Sequence, residues 1–217
     1  MTIELDDVLT RSRELHRAIE AHLNNAVLED SSRSESSFYM CTLSLEHGAG
    51  LRALISQGNA VSATALMRLQ YEALVRGIWI EYAANEAQLE KICQPLTLET
   101  EQAAKSLPGL DDMLKKLENT PSAPQMAVIQ LVDFKRVMLK ALNSYVHGGL
   151  HPLRRHAEGF PIPLAIEVVR NSNGLATMAG MMMALLTRDP TITQPMRHIQ
   201  LKFHDCLPQL LYPAAKA

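Results

Sequence analysis

A chain of 217 residues, 47% hydrophobic and 20% charged, can bury a sizeable core without staples, which argues against a disordered protein. A formal charge of -2 and a pI near 6.4 argue against a globally basic nucleic-acid binder and leave room only for a local basic patch. Cys41, Cys93 and Cys206 are odd in number and lack CxxC spacing, so neither a disulfide framework nor a zinc knuckle is expected.

The N-terminus lacks the basic start and apolar core of a secretory signal. The longest apolar or glycine run, Met178 to Leu186, is far short of the roughly 20 residues a span needs. These features predict a cytoplasmic protein with no membrane partner. Only 5% of residues are aromatic whereas 11 are methionine, a palette suited to helix packing.

In chain order, residues 6 to about 29 place Val8, Leu15, Ile19, Leu23 and Val27 at helical spacing behind Asp6 and Asp7. Serines 31 to 34 break the pattern. A second helix is predicted from Ser34 to Gln57, with Met40, Leu43, His47, Leu51 and Leu54 on its inner stripe, and Gly58-Asn59 ends it. The third runs unbroken from Ala60 to about Cys93.

On that third helix Arg68, Glu72, Arg76 and Trp79 share an arc of about 80°. A second polar arc, Gln70, Gly77, Glu81 and Gln88, lies nearly opposite and reads as the solvent face. The Arg-Glu-Arg ladder then points inward or into a cleft. Buried, its charges would have to pair with one another; in a cleft, its guanidinium groups would bind an anion.

Residues 93 to 122 read as a short-helix insertion or cap, with pieces at about Leu98 to Ser106 and Leu110 to Asn119. From Gln125 to His147 an apolar arc of Val128, Leu131, Phe134, Met138, Leu142 and Tyr145 faces inward. His147 falls in its last turn, where the carbonyl end of the helix favours a cation, and Gly148 is a natural residue to end it. Residues 148 to 163 read as a His-, Gly- and Pro-rich loop. A helix resumes from Pro163 to about Arg188, with a candidate kink at Asn171 to Gly174, and a last one begins at Pro195 with a stripe of Met196, Ile199, Phe203, Cys206 and Leu210.

The chemistry-bearing residues gather at Ser144 to His156, which holds three of the eight histidines. His147 and His151 are separated by two glycines and followed by Pro152, which argues against a helical metal pair. No cofactor or metal motif and no phosphate loop is present. What remains is acid-base work by His147, His151 or His156, with Arg154, Arg155, Arg68 or Arg76 stabilising an anionic transition state. Ser144 is the candidate hydroxyl and Glu72 the candidate carboxylate.

The combination of Arg68-x-x-x-Glu72 on a long helix with Ser144-Tyr-Val-His147-Gly-Gly and His151-Pro152 resembles all-helical bacterial proteins related to the HEPN superfamily. That resemblance implies a helical bundle, often dimeric, with members that are RNases of toxin and phage-defence systems and others without catalysis. The superfamily's catalytic signature is an arginine followed after four to six residues by a histidine, late in the bundle. Two of its literal matches here are Arg11 to His16 and Arg17 to His22, both in the first helix.

The sequence thus predicts one all-α domain over 1–217, a bundle of about six or seven helices with a short helical insertion, forming a homodimer through its Ala- and Met-rich helices. Its expected function is HEPN-like, metal-independent processing of RNA or a nucleotide in a defence or stress system. Arg68, Glu72, Arg76, Ser144, His147 and His151 would share the cleft. The alternative is a non-enzymatic binding or regulatory module with a buried Arg-Glu-Arg network.

Overall fold

The computed structural model describes residues 3–209, and all of its regular structure is helical. The helices are more numerous than six or seven, because two patterns that read as continuous or irregular resolve into separate pieces. The order is α1 Ile3–Leu23, α2 Ser32–Ser56, α3 Ala60–Tyr82, α4 Glu86–Cys93, α5 Leu98–Ala104 and α6 Leu110–Glu118. Then follow α7 Gln125–Val146, α8 Leu150–Glu158, α9 Ile162–Leu185, α10 Pro190–Thr193 and α11 Met196–Lys202.

The expected third helix breaks at Ala83. Asn85 accepts from the Gln88 backbone N–H while the Gln88 side chain accepts from the Asn85 backbone, a reciprocal cap that starts α4 afresh. The expected loop at 148–163 contains α8, and α9 runs through Asn171 to Gly174 without interruption. Of the C-terminal stripe, Met196, Phe203 and Cys206 are buried, and Leu210 lies outside the described residues. In α1 the stripe holds at Val8, Leu15 and Ile19, whereas Val27 sits in the following loop, 82% exposed.

The centre of the fold is the α2–α3 pair, joined by a turn that needs Gly58 at a positive φ of 80°. The buried face of α2 is Ser34, Ser37, Cys41, Ser44, Gly48, Leu51 and Ile55, alternating steps of three and four. Small residues let the two backbones approach, so the Ser37 hydroxyl donates to the Gly77 carbonyl and the Ser44 hydroxyl to the Gln70 carbonyl, both at 2.9 Å. This replaces the predicted Met40, Leu43 and Leu54 stripe, in which Leu43 is exposed.

Gly77 is therefore an interior residue rather than part of a solvent arc. A Cβ there would lie 3.1 Å from Cys41 Sγ and 3.2 Å from the Ser37 carbonyl oxygen, and a backbone carbonyl cannot swing aside. On an exposed helix Gly→Ala gains about 1 kcal/mol. Here Gly77→Ala is expected to lose about 1 kcal/mol, because overpacking outweighs propensity. A denaturant midpoint above that of the wild type would count against this close crossing.

Gln70 and Glu81 of the predicted polar arc are also inside, whereas Gln88 is half-buried on α4. Gln70 is fully buried between α2 and α9, where its amide donates to the Ser172 carbonyl at 2.9 Å and accepts from the Ser172 hydroxyl at 2.7 Å. Its neighbour Asn173 donates to Ser12 Oγ at 2.6 Å and to the Cys206 carbonyl at 2.8 Å. These bonds satisfy most of the polar groups the helices bury together. On the other flank of α3, Tyr71 is buried against α7, stacked on Phe134 and donating to the Leu131 carbonyl at 2.8 Å. Met113, Leu114 and Leu117 bury α6 against this side, so that part of the expected insertion belongs to the core.

Candidate functional site

The expected cleft resolves into two groups of residues, and no described hydrogen bond or ion pair joins them. The first is the ladder on α3. Arg68 Nε donates to Glu72 Oε1 at 2.9 Å, and the pair is partly covered, its side chains 17% and 34% exposed. Arg68 Nη1 is buried and unpartnered among the described residues. Arg76, one turn on, is half-buried and outside the described ion pairs, while Trp79 is completely buried with its Nε1 unpartnered.

The second group is the corner between α7 and α8. His147 caps α7, its N–H donating to the Asn143 carbonyl at 3.0 Å, and its side chain is exposed. Gly148 then takes a positive φ of 64°, which turns the chain sharply. Gly149 passes so close to Ser144 that a Cβ would sit 2.6 Å from the hydroxyl and push it out of place. The turn sets Ser144 Oγ to accept from the His151 backbone N–H at 3.1 Å. Ser144 thereby serves as the missing N-cap of α8, whose own cap residue is a glycine.

On the same corner the Tyr145 and His151 rings stack with centroids 6.0 Å apart. Burial raises the Tyr145 hydroxyl above its ordinary range, and the neighbouring Arg155 guanidinium works against that rise. Arg154 pairs along α8 with Glu158 at 3.2 Å, and His156 is exposed on the same helix. A shallow hollow of about 240 Å³ is lined by Leu150, His151, Arg154, Arg155 and Glu158. The corner can exchange a proton at an imidazole and place guanidinium charge beside an anion. Among the described residues no three His, Cys, Asp or Glu side chains come together to hold a metal ion.

Of the four first-helix signature positions, Arg11, His16 and His22 make contacts within the fold, and Arg17 is exposed. Arg11 donates to Asp205 at 2.8 Å and lies 4.5 Å over the Phe203 ring. His16 is buried, 4% exposed, with Nε2 accepting from Arg52, and burial followed by the Arg52 charge pushes its pKa down to about 3. His22 Nε2 lies 2.7 Å from the Ile192 carbonyl.

Sequence reasoning missed one charged cluster altogether. Glu81, whose side chain is 3% exposed, is paired with Arg188, and Arg188 Nε also donates to Glu29 Oε2 at 2.9 Å. Arg188 holds a positive φ of 56°, uncommon for a residue other than glycine. The cluster borders a cleft of about 570 Å³ formed by residues 25–29 with Thr187, Arg188, Asp189 and Ile192. The only signal in the sequence was Glu81 itself, an acid on a helix too apolar to spare one to solvent.

A family described as Family of unknown function (DUF6988) matches residues 41–209. The chain belongs to this family. The matched span takes in the ladder, the corner and the Glu81–Arg188 cluster, while α1 and the start of α2 precede it. No curated protein and no solved structure matches the chain. Among the described residues no helix is long and apolar enough to cross a membrane.

Proposed function

We propose that this DUF6988 member is a HEPN-like cytoplasmic protein of a defence or stress system, a homodimer that processes RNA or a nucleotide without a metal at the α7–α8 corner. The observation that carries the reading is the His151 imidazole stacked on Tyr145 beside Arg155, with Ser144 fixing the His151 backbone. In RNA cleavage a base takes the proton of the ribose 2′-hydroxyl, that oxygen attacks phosphorus, and the departing 5′-oxygen receives a proton from an acid. His151 and His147 are the groups for these transfers, and Arg155, on the half-buried side of α8 beside Tyr145, is the group for the phosphate charge.

The second reading, a non-enzymatic binding or regulatory module, draws on the ladder. Arg68 and Glu72 spend their charge on each other in a partly covered setting, as a structural pair would.

The test is His151→Ala beside wild type, following cleavage of a mixed RNA pool and thermal melting. General acid-base catalysis is worth at least about a hundredfold in rate. Cleavage should fall by about that factor with melting unchanged. Wild-type protein that leaves the RNA pool intact would end the processing proposal in favour of the binding module.

A further inference from the structure

Four short helices, α4, α5, α8 and α10, bury no residue among the described ones, and two of these, α5 and α8, carry opposite charge. In α8 the half-buried positions are Pro152 and Arg155, so Leu150 and Leu153 face outward, 65% and 63% exposed, with Arg154 and His156 at their side. In the segment leading into α5, Leu96 and Leu98 are 91% and 80% exposed. Glu99 and Glu101 stand beside them in the first turn, no basic residue closes the helix, and neither acid belongs to a described ion pair.

Helices of seven and nine residues are marginal in water and draw their stability from packing. A helix that turns its leucines outward has a partner to find. Two α8 faces brought together would set arginine against arginine, whereas α8 against the α5 segment joins leucine to leucine and base to acid.

We propose that a second copy of the chain is that partner, with α8 of each protomer seated on the Leu96–Glu101 segment of the other. With both contacts made between the same two copies, the exchange closes into a two-fold dimer. It names an interface for the dimer in the reading above, and it differs from the Ala- and Met-rich helices that the sequence suggested, since Met182, Met183 and Ala184 are buried within the protomer. It needs no catalysis.

The experiment is sedimentation of the full chain, free of RNA, over a concentration series at low and high salt. Wild type should form dimers that weaken with salt. Arg154→Glu with His156→Glu, and separately Glu99→Arg with Glu101→Arg, should each weaken dimerisation by about tenfold or more. Mixing the two variants should restore it, because every contact is then again between opposite charges. Since none of these side chains is buried, melting curves taken at concentrations where wild type is monomeric should coincide, and the mixture guards against a variant that folds poorly by itself. A chain monomeric at every concentration, or dimers indifferent to both reversals, overturns the proposal. So does a chain that stays monomeric while the α8 reversal abolishes binding of an RNA pool, which would hand α8 to nucleic acid.

Discussion

Lowering the pH from 7 to 5 is expected to cost the fold about 2 kcal/mol through His16 alone. The ordinary histidine pKa of about 6.5 applies to the unfolded chain, and burial beside Arg52 depresses the folded value to about 3. Between those values the unfolded chain holds a proton that the folded chain refuses, so stability rises with pH. The contribution is complete above pH 6.5 and is lost as the pH falls toward 3, at about 1.4 kcal/mol per unit.

The cause is local. Nε2 of His16 is the acceptor for Arg52, and a proton there would set two cations side by side within the helix interface. The imidazole also lies against Gly48, whose absent Cβ would meet His16 Cε1 at 3.4 Å, so the ring has little room to turn toward water. Urea unfolding at pH 7 and pH 5 measures the effect. His16→Gln keeps an acceptor for Arg52 but cannot titrate, so its loss between the two pH values should be less than half that of wild type. An equal loss in the variant would show that another group is responsible.

Arg188→Ala is expected to destabilise the protein by about 3 kcal/mol, on the order of 10 °C in melting temperature for a chain of this length. The substitution removes a half-exposed guanidinium, which by surface ion-pair standards is worth little. What it leaves behind is costly: the Glu81 carboxylate, almost wholly buried, whose one other hydrogen-bond partner among the described residues is the Ser34 hydroxyl at 3.5 Å. Glu81→Leu combined with Arg188→Ala removes the stranded charge and should recover most of the loss. Arg188→Gly tolerates the positive φ better than alanine, so the difference between the two separates backbone strain from the missing pair. If Arg188→Ala unfolds within 1 kcal/mol of wild type, Glu81 has found another partner or a proton.

The fold class was legible because long apolar periodicities survive in α1, α7 and α9, where large side chains mark the inner face. It was not legible in α2, where a close crossing selects small residues. Serine, glycine and cysteine carry little hydrophobic signal, so the bulkier Met40 and Leu43 drew attention to a neighbouring face. The same crossing explains the inverted reading of α3. Gln70 and Glu81 looked solvated because they are polar, but their partners Ser172 and Arg188 lie about a hundred residues away, beyond any local pattern.

At the candidate site the sequence misread the conformation of the chain. Gly148, Gly149 and Pro152 suggested a loop, yet Gly148 ends one helix and Pro152 falls in the first turn of the next, where its missing N–H costs nothing. Ser144, the candidate hydroxyl, also caps α8 through the His151 backbone, a contact that no spacing in the sequence announces. Nothing in a one-dimensional reading relates the ladder to that corner.

The serine stripe of α2 also settles alignment. Ser37 and Ser44 stand seven residues apart, as do their acceptors Gly77 and Gln70, so by these two hydroxyls alone α2 could slide one heptad along α3 and still satisfy one of them. The end of the stripe breaks that degeneracy. In the native register Ser34, rather than a larger or apolar group, faces the Glu81 carboxylate; a slide of one heptad would put Cys41 there or carry the position past the start of the helix. A buried acid that adds little to stability by itself thus acts as an index mark, admitting one superposition of two otherwise repetitive helices.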